Sequence, residues 1–208
     1  MQMLRDLKDQ NLIKVITGVR RCGKSTLLQM FADELLKNGV EKKQIQFLNF
    51  EDLDTMVIGD IFELHAHIKS HLVPDKMNYV FLDEVQNVKD FQRLVDSLYI
   101  KKNCDVYITG SNAHLLSGEL ATLLTGRYVE ISIFPLQFAE YLDFIRLFSP
   151  NMSNMDSLAI YIQEGGIPEY LKQKTINQKQ ADSFMRSVLN TIIEKDIFQR
   201  LNNIILTK

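Results

Sequence analysis

Short apolar runs alternate, as far as residue 134, with longer stretches whose apolar residues recur at helical spacing. Five short runs predict β-strands: Leu12–Thr17, Ile45–Phe50, Tyr79–Leu82, Val106–Thr109 and Tyr128–Phe134. The stretches between them predict helices at Lys24–Lys37, Asp60–His71, Asp90–Tyr99 and Ala113–Leu124. Strands alternating with helices are typical of a parallel sheet that is covered on both faces, so we expect an α/β fold.

The pattern changes after Phe134, where no further strand is predicted. Three apolar-periodic segments follow and predict a helical lobe: Leu136–Phe148, Ser157–Gln163 and Gln180–Leu201. The last segment has seven apolar residues on one face, as helix packing requires: Phe184, Val188, Leu189, Ile192, Ile193, Ile197 and Leu201. We therefore expect a core domain over 1–134 and a helical lobe over 135–208. The apolar run Ile204–Leu206 has no capping or turn residue after it, which favours a chain truncated before a further C-terminal domain.

Composition and charge exclude several classes of protein. The 208 residues are 46% apolar and 24% charged, which is typical of a soluble globular chain. The 9 glycines, 4 prolines and 2 cysteines are too few for collagen-like, disordered or disulfide-scaffold proteins. No run approaches the roughly 18 apolar residues of a membrane span, and the first residues lack a signal core, so we expect a cytoplasmic protein without membrane contact. The 24 basic and 26 acidic residues give no support for a nucleic-acid-binding surface, although local basic pairs keep nucleic acid open as a partner.

The turn between the first predicted strand and the first predicted helix has the composition of a phosphate-binding loop. It fits the pattern G-x-x-x-x-G-K-[ST] with the residues Gly18-Val19-Arg20-Arg21-Cys22-Gly23-Lys24-Ser25. The glycines let successive backbone N–H groups turn toward one anion, and the helix that follows adds its positive dipole end. We expect Lys24 to contact the β- and γ-phosphates of a triphosphate, Ser25 to ligate Mg²⁺, and Thr26 to contact the α-phosphate. An ordinary turn with an exposed lysine is the alternative.

The variable positions of this loop carry an apolar residue, two arginines and a cysteine. We expect Val19 to be one of the nucleotide-binding residues. Arg20 and Arg21 would either lie in solvent or attract the anion. A thiol near a helix N-terminus, such as that of Cys22, can have a lowered pKa. Alkylation of Cys22 would then block nucleotide entry, whereas a small, tolerated side chain is the simpler interpretation.

Two carboxylates follow the third predicted strand, which reads Tyr79-Val80-Phe81-Leu82-Asp83-Glu84. A buried strand tolerates such charges only at its C-terminal end, where ligands bind in open α/β sheets. We expect Asp83 to hold Mg²⁺, through water, and Glu84 to orient and activate the attacking water. Ordinary charges at the end of a strand are the alternative.

Further polar residues follow the fourth strand and precede the fifth. Ser111 and Asn112 come directly after Val106–Thr109 and Gly110, where either side chain would contact the attacking water and the γ-phosphate. The same residues also suit the N-cap of the next helix. We expect Arg127 to neutralise charge that develops in phosphoryl transfer. If Arg127 acts on the site of a neighbouring subunit, the protein must be a homo-oligomer. A structural salt bridge is the alternative for Arg127.

Taken together, these motifs resemble those of the predicted AAA+ superfamily ATPases of bacteria and archaea. The resemblance covers nearly the whole chain and rests on the phosphate-binding loop and five further stretches: Leu82-Asp83-Glu84-Val85-Gln86, Thr109-Gly110-Ser111-Asn112, Gly126 to Leu136, Gly165-Gly166-Ile167-Pro168 and Lys195-Asp196-Ile197. It implies an additional-strand P-loop core with strand order 5-1-4-3-2, a helical lid, and Pro168 beside the adenine. The residue pattern alone indicates a turn that starts a helix at Gly166-Ile167-Pro168. Members usually carry more N-terminal sequence and a further C-terminal domain, and Lys195 and Asp196 have no role that their chemistry indicates.

The residues and the resemblance together indicate a Mg²⁺-dependent ATPase whose nucleotide state drives a conformational change in a larger chain or assembly. Two alternatives stay open: an ATP/ADP switch with slow turnover, and the motor of a DNA-processing complex. A small-molecule kinase is disfavoured, because Glu84 beside Asp83 suits activation of water and no acceptor site is visible. The chain has no Asn-Lys-x-Asp motif to read guanine, which favours ATP over GTP.

Overall fold

The structure, a computed structural model, describes residues 1–110, 124 and 126–198, with the side chains of 195–197 excepted. Five strands form one sheet: β1 (Ile13–Gly18), β2 (Ile45–Asn49), β3 (Asn78–Asp83), β4 (Cys104–Thr109) and β5 (Tyr128–Ile133). Their order is β2-β3-β4-β1-β5, and the β2–β3, β3–β4 and β4–β1 pairs are parallel. Read from the other edge this is 5-1-4-3-2, so the expected fold class and strand order are confirmed. The strand that follows the acidic strand in sequence therefore separates it from the strand of the phosphate-binding loop.

The chain divides into two compact units, of which the first comprises Met1–Thr17 and Lys24–Ser132. Its described helices are α1 (Gln2–Leu7), α2 (Lys24–Lys37), α3 (Leu53–Met56), α4 (Ile61–Ser70) and α5 (Phe91–Tyr99), with 3₁₀ turns at Lys42–Gln44 and Val85–Asn87. The predicted helix Lys24–Lys37 is confirmed over its full length, and α4 and α5 confirm the next two. Ala113–Leu124, the fourth prediction, lies outside the described residues apart from Leu124. The helices α1 and α3 were not predicted, because each is too short to show a period of 3.6 residues.

The core of the first unit lies on both faces of the sheet, because β1 and β3 are buried at every position. Val80 and Leu82 belong to an apolar cluster that includes residues of α4 and α5. Phe81, which points the other way, stacks on Tyr107 of β4 with ring centroids 4.8 Å apart and packs edge-on against Phe31 of α2. Helices therefore cover both faces, as the alternating pattern predicts.

The second unit comprises Gly18–Gly23 and Ile133–Lys208. Its described helices are α6 (Phe138–Arg146), α7 (Asn154–Glu164), α8 (Pro168–Lys174) and α9 (Gln178–Thr191), and a π-helix follows at Ile192–Phe198. A small core of Tyr141, Tyr170, Leu171 and Ala181 holds the helices together. No helix among residues 1–110 and 126–198 is both long enough and apolar enough to cross a membrane.

Two features of the second unit differ from the sequence prediction. No helical segment was predicted over α8, although the residue pattern indicated a helix-start turn at Gly166-Ile167-Pro168. The helix does begin with Pro168 at its first position, where a proline's fixed φ and missing N–H are tolerated. Val188 is buried as expected, but Leu189 is 54% exposed and does not belong to the packed face of α9. Adjacent residues of a helix are 100° apart, so a narrow packing face that holds Val188 excludes its neighbour.

Candidate functional site

One threonine holds the acidic pair at the C-terminal end of β3. Asp83 is 1% exposed and Glu84 is 9% exposed. The Thr109 Oγ1 donates a hydrogen bond to Asp83 Oδ1 over 2.5 Å and accepts one from the Glu84 backbone N–H over 2.9 Å. The parallel register that aligns Leu82 with Ile108 brings Thr109 level with Asp83. A single hydroxyl therefore fixes both the carboxylate of Asp83 and the backbone of Glu84.

Glu84 has an unusual backbone conformation. Its φ of 56° and ψ of 49° lie in the left-handed region, which costs a non-glycine residue roughly 1–2 kcal/mol. This conformation ends β3 and starts the 3₁₀ turn Val85–Asn87. Strain of this kind persists where neighbouring contacts enforce it, and it concentrates at functional sites. Here the enforcing contact is the hydrogen bond from the Glu84 N–H to Thr109.

The Glu84 carboxylate has a cation on one side and an amide on the other. Lys24, the first residue of α2, is 4% exposed, and its Nζ lies 3.7 Å from Glu84 Oε1. The Gln86 Nε2 donates a hydrogen bond to Glu84 Oε2 over 2.5 Å. Buried charges need such partners, because an unpaired ion in the protein interior carries a large desolvation penalty. The structure thus brings together Lys24, Asp83 and Glu84, three residues that the sequence analysis selected.

Ser25 and Thr26 follow Lys24 on the first turn of α2, and both are exposed. A serine hydroxyl and an aspartate carboxylate are hard oxygen ligands, which is the chemistry that Mg²⁺ prefers. The donor set of Ser25 and Asp83 therefore fits a magnesium ion, and the Lys24 ammonium fits a phosphate.

The loop Gly18–Gly23 needs glycine at both of its ends, for different reasons. A Cβ on Gly18 would lie 2.3 Å from the Ile133 carbonyl oxygen, so no side chain fits there. Gly23 has open space around it but a φ of +105°, which L-residues rarely adopt. Between them Arg21 has a φ of 66°. Left-handed residues interspersed in a short turn are typical of loops whose N–H groups converge on an anion.

The variable residues of the loop differ in exposure. Val19 is 43% exposed and Arg21 is exposed, whereas Arg20 is half-buried and Cys22 is 5% exposed. The Cys22 Sγ lies directly against Gly18, since it would be only 2.7 Å from a Cβ at that position. The Arg21 guanidinium lies over the Phe184 ring of α9, 5.8 Å from its centroid, within the range of a cation–π contact.

Of the remaining predicted site residues, the structure describes Arg127 and Pro168. Arg127 is ion-paired with Asp96 and lies over the Tyr99 ring, 5.7 Å from its centroid, so in this chain it has an intramolecular partner. Its role toward a neighbouring subunit stays a prediction. Pro168 begins α8 in the helical unit. Ser111 and Asn112, and the side chains of Lys195 and Asp196, lie outside the described residues.

Sequence reasoning assigned no role to two residues that contact the acidic pair. Thr109 was predicted only to end a strand, and Gln86 contributed only to the family resemblance. A hydroxyl at the last position of an apolar strand was the available signal for Thr109. Gln86 gave no comparable signal, because its contact with Glu84 depends on the left-handed turn between them.

Two curated relatives match most of the chain. A protein of Haemophilus influenzae, described as uncharacterized, is 37% identical over 201 residues, which are 96% of this chain and 50% of that protein. An uncharacterized protein of Methanocaldococcus jannaschii is 30% identical over 197 residues, covering 91% of this chain and 43% of that protein. The chain thus spans about half the length of these curated relatives.

The structural comparison includes a chain from the structure of Drosophila ORC bound to AT-rich DNA and Cdc6. Its TM-score is 0.43 with 12% sequence identity, over 93% of this chain and 79% of that one. Residues 10–142 match the AAA domain, and they include the phosphate-binding loop, the acidic pair and all five strands. The chain therefore belongs to the AAA domain family of P-loop ATPases.

Proposed function

We propose that this domain binds ATP with Mg²⁺ and hydrolyses the bond between its β- and γ-phosphates. The observation that carries the proposal is the buried contact of Lys24 with Glu84, beside Asp83. Burying a lysine and two carboxylates at one end of a sheet costs stability, which a purely structural role would not require. A bound triphosphate and metal would complement all three charges.

Each residue of this cluster has a distinct proposed task. Lys24 neutralises charge on the β- and γ-phosphates, and Ser25 and Asp83 would hold the Mg²⁺. When bound, the ion supplies further charge neutralisation on the phosphate oxygens. Glu84 accepts a proton from the attacking water. Its carboxylate must first separate from the Lys24 ammonium, which happens when a phosphate binds to Lys24.

Other predicted residues complete the proposal. Ser111 or Asn112 contacts the γ-phosphate, and Arg127 acts on a neighbouring subunit after release from Asp96. Thr26 contacts the α-phosphate, and Pro168 lies beside the adenine. The first three assignments rest on sequence motifs inside the AAA domain match, and the assignment of Pro168 rests on the family resemblance.

We further propose that the segment 135–208, for which the sequence predicts a helical lobe, is a lid that responds to the phosphate-binding loop. The support is the contact of Arg21 with Phe184, which joins the loop to α9 within the second unit. A phosphate that attracts the Arg21 guanidinium would weaken that contact and free α9 to move. A further domain or a partner would receive this movement as the output of the nucleotide state.

The substitution Glu84→Gln tests the hydrolysis proposal. We expect steady-state ATP turnover to fall at least about tenfold while binding of a fluorescent ATP analogue is retained, because the amide cannot accept a proton. Glu34→Gln is the matched control, since Glu34 lies on α2 and is ion-paired with Arg5 at the surface. Turnover of Glu84→Gln equal to that of the control would contradict the assignment. Chelation of Mg²⁺ by EDTA should abolish turnover in all variants.

A slow nucleotide switch is the second candidate function. It is favoured by the engagement of both Glu84 oxygens, one with Lys24 and the other with Gln86, which leaves the base in a resting position. ADP that copurifies with the protein, together with turnover far slower than nucleotide binding, would support this candidate.

A further inference from the structure

Gln86 has a buried amide oxygen for which no hydrogen-bond partner exists among the described residues. A buried acceptor without a donor costs about 1–3 kcal/mol, so such an atom in a native site calls for an explanation. Its orientation is fixed by chemistry: the Glu84 carboxylate only accepts hydrogen bonds, so the amide nitrogen must face it. The amide oxygen is then the atom of this side chain that is left without a donor.

A small donor can bridge the Gln86 amide oxygen and the Glu84 carboxylate. The nitrogen and oxygen of one amide belong to the same rigid planar group, and the nitrogen is 2.5 Å from Glu84 Oε2. A donor that approaches the oxygen from the side of the amide nitrogen is therefore near enough to bond the carboxylate as well. Water has the chemistry for this role, because one of its protons can be donated to the amide oxygen and the other to the carboxylate.

We propose that Gln86 positions the attacking water: its Oε1 accepts one proton of that water while its Nε2 holds the Glu84 carboxylate that removes the other. This rests on the proposed function. The O–H bond directed at Glu84 breaks as the water oxygen bonds to the γ-phosphorus, the proton passes to the carboxylate, and ADP leaves with the electrons of the broken P–O bond. Gln86 gives up no proton and stays chemically unchanged.

Removing the amide should slow the chemical step and leave nucleotide binding intact. Gln86→Leu has nearly the same size but neither donor nor acceptor, so we expect kcat to fall at least about tenfold with KM within about twofold of the starting value. Binding of ADP with aluminium fluoride, which mimics the transferring phosphoryl group and its attacking water, should weaken by a similar factor. Binding of ADP alone should not change.

The matched control is Gln44→Leu. Gln44 is a buried glutamine of the same unit whose amide bonds the Met77 carbonyl and the Glu41 N–H, so its role is structural. This control should lower the thermal unfolding temperature without changing kcat per folded molecule. If Gln86→Leu fails to fold, Gln86→Asn keeps the amide but withdraws it by one methylene, and we expect the same loss of kcat.

The outcomes separate this inference from the proposed function. Loss of turnover in Glu84→Gln with normal kcat and normal ADP–aluminium fluoride binding in Gln86→Leu would overturn the inference alone. Equal turnover of Glu84→Gln and the starting protein would overturn the proposed function and the inference with it. A Gln86→Leu variant that loses ADP binding as well as kcat would assign Gln86 a structural role and also overturn the inference.

Discussion

Thr109 should be the residue on which the acidic site depends most for its geometry. The substitution Thr109→Val replaces its hydroxyl by a methyl group of nearly the same size. Two hydrogen bonds are lost: the one donated to the Asp83 carboxylate and the one accepted from the Glu84 N–H. The lost bond to a charged group is worth about 1.5–3 kcal/mol, and the buried N–H left without an acceptor costs about 1–3 kcal/mol. Because the two effects share one atom and overlap, we expect a total loss of about 3 kcal/mol.

Urea denaturation followed by far-UV circular dichroism measures this loss, since the chain has no tryptophan to serve as a fluorescence probe. With a slope of about 2 kcal/mol per molar urea, the unfolding midpoint should fall by about 1.5 M. ATP turnover should fall as well, because the strained backbone of Glu84 loses the contact that enforces it.

Thr109→Ser is the matched control, because it keeps the hydroxyl and removes only a methyl group. It should cost about 1 kcal/mol and retain most of the turnover. Equal midpoints for the valine and serine variants would refute the reasoning, since the loss would then come from packing and not from the two hydrogen bonds.

Three further predictions concern stability. Asp105→Leu leaves the Lys14 ammonium, which is 0% exposed, buried without its counter-charge, so the free energy of unfolding should fall by about 3–5 kcal/mol. Adding Lys14→Met should restore most of this stability, whereas losses that simply add in the double variant would contradict the prediction. Burial raises the pKa of Tyr79 to about 12, above its unfolded value near 10, so its contribution to stability is complete below pH 10 and is lost as the pH rises toward 12. The urea unfolding midpoint should therefore fall between pH 10 and 12, and it should fall less in Tyr79→Phe. An equal fall in both proteins would show that Tyr79 is not the group responsible. In Gly166→Ala the new methyl would lie 2.1 Å from the Leu136 carbonyl oxygen, so α6–α9 should become more sensitive to limited proteolysis, and unchanged digestion would rule out the clash.

The local pattern of apolar and polar residues was enough to predict most of the strands and helices. The strands read as short, mostly apolar runs, and each of the five was predicted within two residues of its observed ends. The helix Lys24–Lys37 was predicted without error, because the loop before it and Asn38-Gly39 after it delimit its apolar period. The phosphate-binding motif is also local, since its eight residues are contiguous and its glycines have backbone requirements of their own.

What the sequence could not supply are contacts between residues far apart in the chain. Thr109 meets Asp83 and Glu84 across 26 and 25 positions, and Lys14 meets Asp105 across 91. Such contacts depend on which strands are neighbours and in what register, and periodicity within one strand does not encode either. The sequence alone therefore determined which residues have the chemistry for a nucleotide site, whereas the tertiary structure decided which of them touch Glu84, because strand order and the left-handed turn at that residue set those distances.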